Sequence, residues 1–385
     1  MAKKDEASST KTTTNSKQAH LLRPNGEPRV MPTDYSISLG AKGGTDRLLV
    51  NPGSERVQSM QGFEETYVDI IDYIVRITHR IWEEKDIGYI YDTYAHNSRV
   101  VDGFGLQYGR DKIVADTVHT VNAFPNIRLF ADEIVWAGDD EVGFHTSHRT
   151  IIKGTNTGMS RFGLPTGRSV ELWVIANCVA LDNEIFEEWV LYDNADMIRQ
   201  LGFDLRETAR KFGNLRLSNE LPPTTFEPER LPGQGKPEYR VYEPGASLDV
   251  ADFLGAAYHN ALNRRMLQSL HDSHAANVRV LSSNGRRLYG RAQFQAFLLS
   301  LLATFPDLAF QIDDLYWMGN DDEGYRTAMR WSIVGKHDGW GIYGAPSGRP
   351  VQMWGITQHE IKDGRIVQEW FMFNEFAVMQ QVFHD

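Results

Sequence analysis

His148 is the first residue whose type and setting could do chemistry. It stands in the segment FHTSHRT, where alternation along an extended chain puts it on one face with Phe144, Thr146 and Thr150. A neutral imidazole beside an aromatic ring can act as a general base near pH 7. A core histidine bonded to a neighbouring carboxylate or carbonyl group fits the same pattern. We therefore treat His148 as a candidate base with a structural alternative.

Glu188 is a carboxylate on an otherwise apolar strand face. The segment FEEWVLY places it with three aromatic or aliphatic neighbours, Phe186, Val190 and Tyr192. Loss of hydration raises the pKa of such a carboxyl group and suits it to give or accept a proton. A structural ion pair with Arg149 or Arg168 is the alternative that the sequence leaves open.

Asp193, His96 and Tyr94 complete the polar candidates in this half of the chain. Asp193 ends the strand that carries Glu188, and it could take a proton or cap a helix that begins near Ala195. His96 follows a predicted helix in the segment YDTYAHNSRVV, two residues after Tyr94. It is a candidate polar pocket residue, and a surface histidine is the alternative.

The second half of the chain repeats the first. The stretch MSRFGLPTGRSVELW at residues 159–173 returns as WGIYGAPSGRPVQMW at residues 340–354, a shift of 181 positions (340 minus 159). The same shift pairs Tyr108-Gly109-Arg110 with Tyr289-Gly290-Arg291, Phe124-Pro125 with Phe305-Pro306, Trp136 with Trp317, and Glu188-Trp189 with Glu369-Trp370. Upstream of residue 281 the shift is 180, as His79 and His259 show. Such a register indicates two copies of one domain, which we place at residues 63–205 and 248–385.

The two copies differ at the polar candidates. His148, His96 and Asp193 are replaced by Met329, Ala276 and Asn374, whereas Glu188 is kept as Glu369 and Tyr94 is matched by His274. We therefore expect the first copy to hold the working site and the second to have drifted toward binding or support. The side chains expected to contact the substrate are Tyr94, Phe144, Trp173, Tyr192, His274, Tyr325, Met329, Trp331 and Glu369.

Each copy begins with a helical pattern and continues with strands. Apolar residues recur every three or four positions from Tyr67 to Ile81 and from Phe253 to Leu262, which indicates amphipathic helices. Later segments such as YRTAMRWSIVG alternate with period two, and hairpin turns are expected at residues 182–183 and 362–364. Helices followed by antiparallel strands predict an α+β domain. A strongly curved sheet wrapped around the helices would leave a cone-shaped pocket.

The pattern YGR…FP…W…LPTGR…W…DNEIFEEWVLYDNADMIRQLG resembles the SnoaL-like polyketide cyclase group of the NTF2-like superfamily. The resemblance covers both copies, and so nearly all of the chain after residue 60. It implies two tandem NTF2-like (cystatin-like cone) domains. Most members of the superfamily use acid–base chemistry in the conical pocket without a metal or an organic cofactor, so neither is expected here.

The resemblance also indicates which positions would carry a cyclase reaction. Aldol cyclases of the family have a pocket histidine on the penultimate strand and a catalytic aspartate on the last strand. Those positions hold Ala176 and Val190 in the first copy, and Thr357 and Phe371 in the second. Neither copy therefore carries the pair, and a standard aldol ring closure is not expected.

Composition narrows the class of protein. The 385 residues are 41% hydrophobic, which is enough to bury substantial cores. A net charge of −11 gives no reason to expect a nucleic acid or an anionic membrane as a partner. A lone cysteine, Cys178, excludes an intrachain disulfide. No apolar run approaches the roughly 20 residues of a membrane span, and no secretory signal is recognisable, so we expect a cytoplasmic protein.

The remaining segments set the domain arrangement. Residues 1–62 are predicted to be a mobile arm, or alternatively an extended arm that embraces a partner subunit, and residues 206–247 are predicted to be a Pro/Gly-rich linker. Trp189 and Trp370 lie on apolar strand faces opposite the pockets. A sheet that is apolar on both faces must be covered on both, so we expect the two copies to pack sheet against sheet as an intrachain pseudo-dimer. A further homo-oligomer stays open.

The leading hypothesis is a cofactor-independent enzyme that acts on a small organic substrate by proton abstraction and return, as a lyase or dehydratase, an isomerase or a hydrolase. His148 or Asp193 is the expected base, and His96, Tyr94 and Glu188 are the expected polar partners. The alternative is a non-catalytic protein that uses a pseudo-dimeric scaffold for small-molecule binding or assembly.

Overall fold

The computed structural model describes residues 36–215 and 247–385. The first 35 residues of the predicted arm and residues 216–246 of the predicted linker lie outside the described part of the chain. The helices of the first half are α1 (Thr45–Val50), α2 (Ile70–Trp82), α3 (Ile90–Thr93), α4 (Arg110–Ala123), α5 (Asn194–Leu201) and α6 (Leu205–Asn214). Its strands are β1 (Tyr94–Asp102), β2 (Gly105–Tyr108), β3 (Arg128–Asp139), β4 (Gly143–Thr155), β5 (Ser169–Leu181) and β6 (Glu184–Tyr192).

The second half repeats this order of elements. Its helices are α7 (Val250–Tyr258), which continues as a π-helical turn (His259–Asn263), then α8 (Leu270–Ser273), α9 (Arg291–Thr304) and α10 (Glu375–Phe383). Its strands are β7 (His274–Ser282), β8 (Arg286–Tyr289), β9 (Ala309–Asn320), β10 (Gly324–Lys336), β11 (Pro350–Lys362) and β12 (Arg365–Phe373). The predicted α+β class and the predicted tandem arrangement are confirmed.

Each half contains one six-stranded sheet with the same topology. The strand orders are β2-β1-β6-β5-β4-β3 and β8-β7-β12-β11-β10-β9. Neighbouring strands are antiparallel except for β1 with β6 and β7 with β12, which are parallel. The sheets are therefore mixed rather than wholly antiparallel as predicted, because the strand that follows the first helices joins the last strand of its own domain.

The main helix of the first domain forms where the apolar spacing predicts it. Asp69 caps α2, its side chain accepting a hydrogen bond from the Asp72 backbone N–H. The inward stripe of α2 is then buried almost completely, at positions Ile70, Ile74, Ile77 and Ile81. This stripe lies against the sheet and forms one wall of the space in which a site can be built.

The two predicted hairpin turns are also present. Asp182 and Asn183 have φ of 51° and 70°, and Asp363 and Gly364 have φ of 49° and 67°. Positive φ at both central residues is typical of a type I′ turn, which Asp, Asn and Gly adopt most easily. The turns fix the register of β5 with β6 and of β11 with β12, and hence which side chains of the last strand face inward.

The segment 36–62 differs from the predicted mobile arm. Its apolar side chains Leu39, Leu48 and Met60 are buried against the first domain. The Trp136 indole N–H donates a hydrogen bond of 2.9 Å to the Ile37 carbonyl oxygen. Sparse apolar residues at irregular spacing gave no periodic signal, yet these three side chains pack against the first domain.

The start of the predicted linker is likewise ordered. Residues 205–214 form α6, capped by Asp204, whose carboxylate accepts the Glu207 backbone N–H at 2.7 Å. Ala209 is buried where α6 packs against α10 of the second domain. The linker prediction was therefore wrong for these residues, because their apolar face is covered by the other half of the chain.

The outer faces of the two sheets pack against each other, in agreement with the prediction from sequence. Trp189 meets Trp354 with ring centroids 5.2 Å apart at 78°, and Trp173 meets Trp370 at 6.2 Å and 64°. Around these rings lie Val101, Ile175, Leu191, Ile356 and Met372. Edge-to-face aromatic contacts of this kind add to the apolar area that is buried between the domains.

Two arginines related by the repeat cross this interface. The Arg149 guanidinium lies 3.4 Å from the Trp370 ring centroid, and that of Arg330 lies 4.1 Å from the Trp189 ring centroid. Positions 149 and 330, like 189 and 370, are related by the shift of 181. The interface therefore has approximate two-fold symmetry within a single chain.

The symmetry is broken one shell further out. Arg149 donates to the Gln358 side-chain oxygen, and the Gln358 amide donates to the Ser147 carbonyl and hydroxyl oxygens at 2.9 and 2.8 Å. The residue of the first repeat that corresponds to Gln358 is Asn177. Its buried amide has no hydrogen-bond partner among the described residues. One side of the interface is thus closed by a polar bridge that the shorter amide does not make on the other.

Candidate functional site

The first domain encloses a cavity of about 200 Å³ between its sheet and its helices. Helices α2 and α4 supply most of the apolar wall, and strands β4, β5 and β6 supply the facing side. The apolar lining includes Ile74, Ile77, Ile81, Ile113, Phe124 and Val190. A space of this size holds a molecule of one or two rings, since a cavity of about 150 Å³ accommodates benzene.

Glu188 on β6 and Tyr94 at the start of β1 form the main polar pair of this cavity. The Tyr94 hydroxyl donates a hydrogen bond of 2.9 Å to Glu188 Oε2. Burial raises the pKa of Glu188 to about 7, an effect that the Tyr94 hydrogen bond partly offsets and the nearby charge of Asp102 reinforces. Burial likewise raises the pKa of Tyr94 well above its ordinary value. The carboxyl group can therefore exist in either protonation state near neutral pH.

Glu188 makes neither of the ion pairs that the sequence left open. Arg149 lies at the domain interface, paired with Asp132 and stacked on Trp370. Glu188 lies deep in the fold but is only partly buried, because its accessible surface faces the cavity. These contacts therefore favour a role for Glu188 in the cavity over a structural ion pair with an arginine.

His148 on β4 lines the cavity, opposite Ala176 on the neighbouring strand. Its Nε2 atom is buried and has no hydrogen-bond partner within residues 36–215 and 247–385. Burial lowers the pKa of His148 to about 4, so the ring is neutral at pH 7. The structural alternative of a carboxylate or carbonyl bonded to the ring is therefore not met at Nε2.

Cys178 and Asp102 are among the polar residues of the cavity that were not predicted to line it. Cys178 lines it from β5, and burial raises the pKa of its thiol well above the usual value. Asp102 accepts hydrogen bonds from the Phe104 and Gly105 backbone N–H groups and from the Gln107 amide, and burial raises its pKa. Alternation from Ala176 could have indicated Cys178, whereas Asp102 stands just before a turn, where a solvated aspartate is the usual interpretation.

Asp193, one of the two expected bases, does not line the cavity. It caps α5 by accepting the Asp196 backbone N–H at 3.2 Å. It also accepts the Asn284 and Gly285 backbone N–H groups of the second domain, at 2.8 and 3.0 Å. Burial raises the pKa of Asp193 to about 6. The structure thus gives this carboxylate a structural position at the domain junction.

Four more residues named from sequence lie away from the cavity. His96 is exposed, and Trp173 packs on Trp370 at the domain interface. Phe144 is buried against Phe63 and Trp136 rather than lining the space. Phe186 is 38% exposed because a β-bulge near Ala180 gives its expected inward place on β6 to Ile185. Tyr192, by contrast, lines the cavity as predicted.

The corresponding space of the second domain is filled by side chains. Trp331 is fully buried and stacks on Phe371, with ring centroids 4.8 Å apart. Tyr325 and Met329 are also buried in this core. The residues expected to bind substrate in this half are therefore core residues in the structure.

Polar groups in this core satisfy one another. The Tyr258 hydroxyl lies 2.6 Å from both His359 Nε2 and Glu369 Oε1, and Glu369 Oε2 lies 3.1 Å from His274 Nε2. Thr327 bonds the other ring nitrogen of His359 at 2.6 Å. A network in which each polar group has a hydrogen-bond partner stabilises a closed core. It leaves none of these groups free to bind a ligand.

The difference between the halves follows from a few exchanges of size. At the wall of the first cavity stand Thr78, Thr150, Val190 and Thr120. The positions related to them by the repeat are held by the larger residues Tyr258, Trp331, Phe371 and Leu301. The first domain is therefore open because its inward positions carry small side chains.

Within residues 36–215 and 247–385, no three His, Cys, Asp or Glu side chains are grouped so that they could hold a metal ion. No helix in the same ranges is long and apolar enough to cross a membrane.

The SnoaL-like polyketide cyclase family model matches this chain twice, at residues 73–201 and 254–382. The chain belongs to the SnoaL-like polyketide cyclase family. The matches cover the helices and sheet of each half, so the protein is a tandem SnoaL-like protein with two NTF2-like domains. Family membership points to a small-molecule site, and the open cavity lies in the first SnoaL-like domain.

Solved structures similar to this SnoaL-like chain have the length of one of its domains. Wild-type IdmH from Streptomyces antibioticus is 22% identical, covers 35% of this chain and 98% of its own, with a TM-score of 0.30. A SnoaL-like polyketide cyclase from Agrobacterium tumefaciens is 24% identical and covers 34% and 94%, with a TM-score of 0.28. A protein from Jannaschia sp. CCS1 is 17% identical and covers 34% and 90%, with a TM-score of 0.30. No curated protein sequence matches the chain.

Proposed function

We propose that the first domain is a cofactor-independent acid–base catalyst that acts on a small, largely apolar carbonyl compound. The observation that carries this proposal is Glu188, a carboxyl group inside an apolar cavity whose pKa is raised to about 7. A group with a pKa near the working pH is the most effective proton-transfer catalyst. Lyase or dehydratase, isomerase and hydrolase reactions all begin with such a transfer.

Glu188 is the base in this scheme, in place of the His148 or Asp193 expected from sequence. Tyr94 holds Oε2, which leaves Oε1 for the substrate. As the carboxylate takes the proton next to the carbonyl group, the C–H electron pair moves to form an enolate. Reprotonation at the same or another carbon returns the proton and regenerates the carboxylate. No external oxidant or metal enters this balance.

His148 has a supporting role in the same proposal. Because its pKa is lowered to about 4, the ring is a neutral donor at pH 7 rather than a cation. Its N–H can donate to the enolate oxygen as charge develops there. In this scheme the neutral ring carries its proton on Nε2, which has no hydrogen-bond partner among the described residues, so no bond to the protein breaks before the N–H donates. Such a donor stabilises the developing enolate more than the neutral ketone.

Exchange of carbon-bound hydrogen tests the proposal without knowledge of the natural substrate. The probe is 2-tetralone, a two-ring ketone of suitable size, incubated with the protein in D2O and followed by proton NMR. We expect Glu188→Gln to lower the protein-dependent exchange rate by at least about 100-fold, the usual contribution of a positioned base. Glu187→Gln is the matched control, since Glu187 is the adjacent residue and pairs with Arg99 instead.

The outcomes separate the two hypotheses about function. Equal exchange rates in the wild type and in Glu188→Gln would remove the catalytic assignment of this residue. Binding of 2-tetralone that raises the melting temperature of the wild type, with no exchange above buffer, would favour the alternative of a non-catalytic small-molecule-binding protein.

A further inference from the structure

The exposed residues among the cavity lining place the opening of the first cavity between helix α4 and the loop 159–163. Among its lining residues, His119 on α4 and Arg161 in the loop are the exposed ones on either side of this gap. Arg161 lies 3.7 Å from Asp116, also on α4, which joins the two sides. The loop itself is compact, because Ser160 and Gly163 exchange backbone hydrogen bonds of 3.0 and 3.2 Å. We call this gap the entrance.

Two phenylalanines form the inner side of the entrance. Phe104 and Phe162 both line the cavity, with ring centroids 6.3 Å apart, and the Arg161 guanidinium lies 4.1 Å from the Phe104 ring. Neither ring is fully buried, so each is accessible to a molecule that passes through. They therefore form part of the boundary between the entrance and the cavity.

These two rings rest on residues outside the first sheet. Phe212 of α6 lies 5.8 Å from Phe162 and 6.2 Å from Phe104. Phe376 of α10 lies 5.8 Å from Phe162, 6.1 Å from Phe104 and 5.5 Å from Phe212. Phe104, Phe162, Phe212 and Phe376 therefore make one aromatic cluster in which every pair of rings is in contact, and the second domain contributes one of the four rings.

Phe376 is firmly fixed in its own domain. It is 3% exposed and belongs to the core that fills the second domain. The position related to it in the first domain is Ala195, which has no ring. The support is thus given in one direction only, from the filled domain to the open one.

We propose that Phe376 is a positioning residue that controls access to the first cavity from the second domain. Opening the entrance requires Phe104 and Phe162 to leave the ring on which they pack. The closed second core keeps Phe376 in place, so the entrance has a rigid support on one side. This inference concerns access to the cavity and does not depend on which reaction takes place there.

The single cysteine of the chain makes access measurable. Cys178 lines the cavity and is paired on the sheet with Glu188, away from the entrance residues. Methyl methanethiosulfonate is a small probe that must enter to react with it. The Cys178 thiolate attacks the sulfenyl sulfur, a disulfide to the methylthio group forms, and methanesulfinate leaves. Mass spectrometry against time gives the rate.

Removing the ring that the second domain contributes is expected to speed this reaction. Phe376→Ala should increase the modification rate at least about tenfold, because loss of a buried ring makes local opening easier. Phe376→Leu, which keeps an apolar side chain of useful size, should restore most of the wild-type rate. Rates that stay constant in low urea would show that the probe enters the folded protein rather than an unfolded form.

Phe383→Ala is the matched control. Phe383 stands on the same helix but packs on Tyr343, 6.2 Å away, and under Arg206 rather than in the aromatic cluster. Its truncation should leave the Cys178 rate unchanged. An equal acceleration in both alanine variants, or none in Phe376→Ala, would overturn the proposal. Neither result bears on Glu188, so the catalytic proposal is tested separately.

Discussion

At the scale of single residues, Glu188 combines a chemical advantage with a cost in stability. The cavity that raises its pKa to about 7 does so by withholding water from the ionised form. The folded protein therefore favours the protonated carboxyl group, which contributes fully below pH 4.5, the ordinary value for a glutamate. That contribution is lost as the pH rises through about 7.

Glu188→Gln should thus stabilise the protein in a pH-dependent way. We expect the variant to exceed the wild type in free energy of unfolding by up to about 3 kcal/mol at pH 8, and by close to zero at pH 4.5. Urea unfolding of both proteins at the two pH values gives the comparison. Glu187→Gln, which removes the neighbouring carboxylate that pairs with Arg99 outside the cavity, is measured in parallel as the control. A difference that is as large at pH 4.5 as at pH 8 would contradict the assigned environment.

Alternation along strands was enough to predict some of the site residues and not others. His148, Glu188 and Tyr192 line the cavity from strands on which alternation turned them inward, and Tyr94, named from the segment after the predicted helix, lines it as well. For Asp193 the sequence left open a base or a helix cap, because a capping aspartate and a catalytic one look alike. The structure shows the cap, together with a hydrogen bond from the Asn284 backbone N–H that only the folded chain reveals. Long-range contacts of this kind have no local signature.

At the scale of elements, β4 and β10 show how one strand pattern gives an open or a closed domain. Both strands alternate in the same register with their neighbours, as the pairs His148 with Ala176 and Met329 with Thr357 show. The outcome depends on the volume of the inward residues, in particular Thr150 against Trp331. Polarity alone would not have separated the two strands.

Thr150→Trp tests this account by giving the first domain the residue of the second. We expect the indole to fill the cavity, to abolish the binding of 2-tetralone and to slow modification of Cys178, while the fold is retained. Lys153→Trp, at an exposed position of the same strand, is the control. The reverse change, Trp331→Thr, should cost about 3–5 kcal/mol, as truncation of a core aromatic ring usually does. Undiminished binding of 2-tetralone to Thr150→Trp would show that the probe binds outside this cavity.

The bulge in β6 marks the limit of prediction at this scale. Strict alternation placed Phe186 inward. The β-bulge on β6 opposite Ala180 shifts the alternation, so Ile185 faces inward instead. The helix stripe from Ile70 to Ile81 and the turns at residues 182–183 and 363–364 were predictable, because periodicity and turn chemistry are local. The bulge depends on how two strands pair, which a single segment does not show.

At the scale of the whole molecule, the two domains share hydrophobic cores. Helices α5 and α6 of the first half contribute Ala195, Ile198 and Ala209 to the core of the second. The sheets share the interface around Trp189 and Trp354. The duplication was predictable from the sequence. The contacts between the halves were less so, because α6, which packs on α10, lies in the segment that was predicted to be a linker.

Thermal unfolding should consequently occur as one transition. We expect far-ultraviolet circular dichroism and tryptophan fluorescence to give the same midpoint, and Trp354→Ala to lower it in both signals together, since the indole is fully buried between the sheets. Trp340→Ala, which changes a tryptophan that is 74% exposed, is the control. Two separate transitions, or a shift seen by one signal only, would show that the domains unfold independently.

The bridge from Arg149 through Gln358 to Ser147 has a consequence for ancestry and assembly. In a hypothetical pair of identical first repeats, Arg149 would face Asn177, whose side chain is one methylene shorter. In a pair of second repeats, Gln358 would meet Ala328, which has no hydroxyl group. Within one chain the two interface faces are therefore complementary but not identical. A homodimer of either repeat alone would lack this polar bridge.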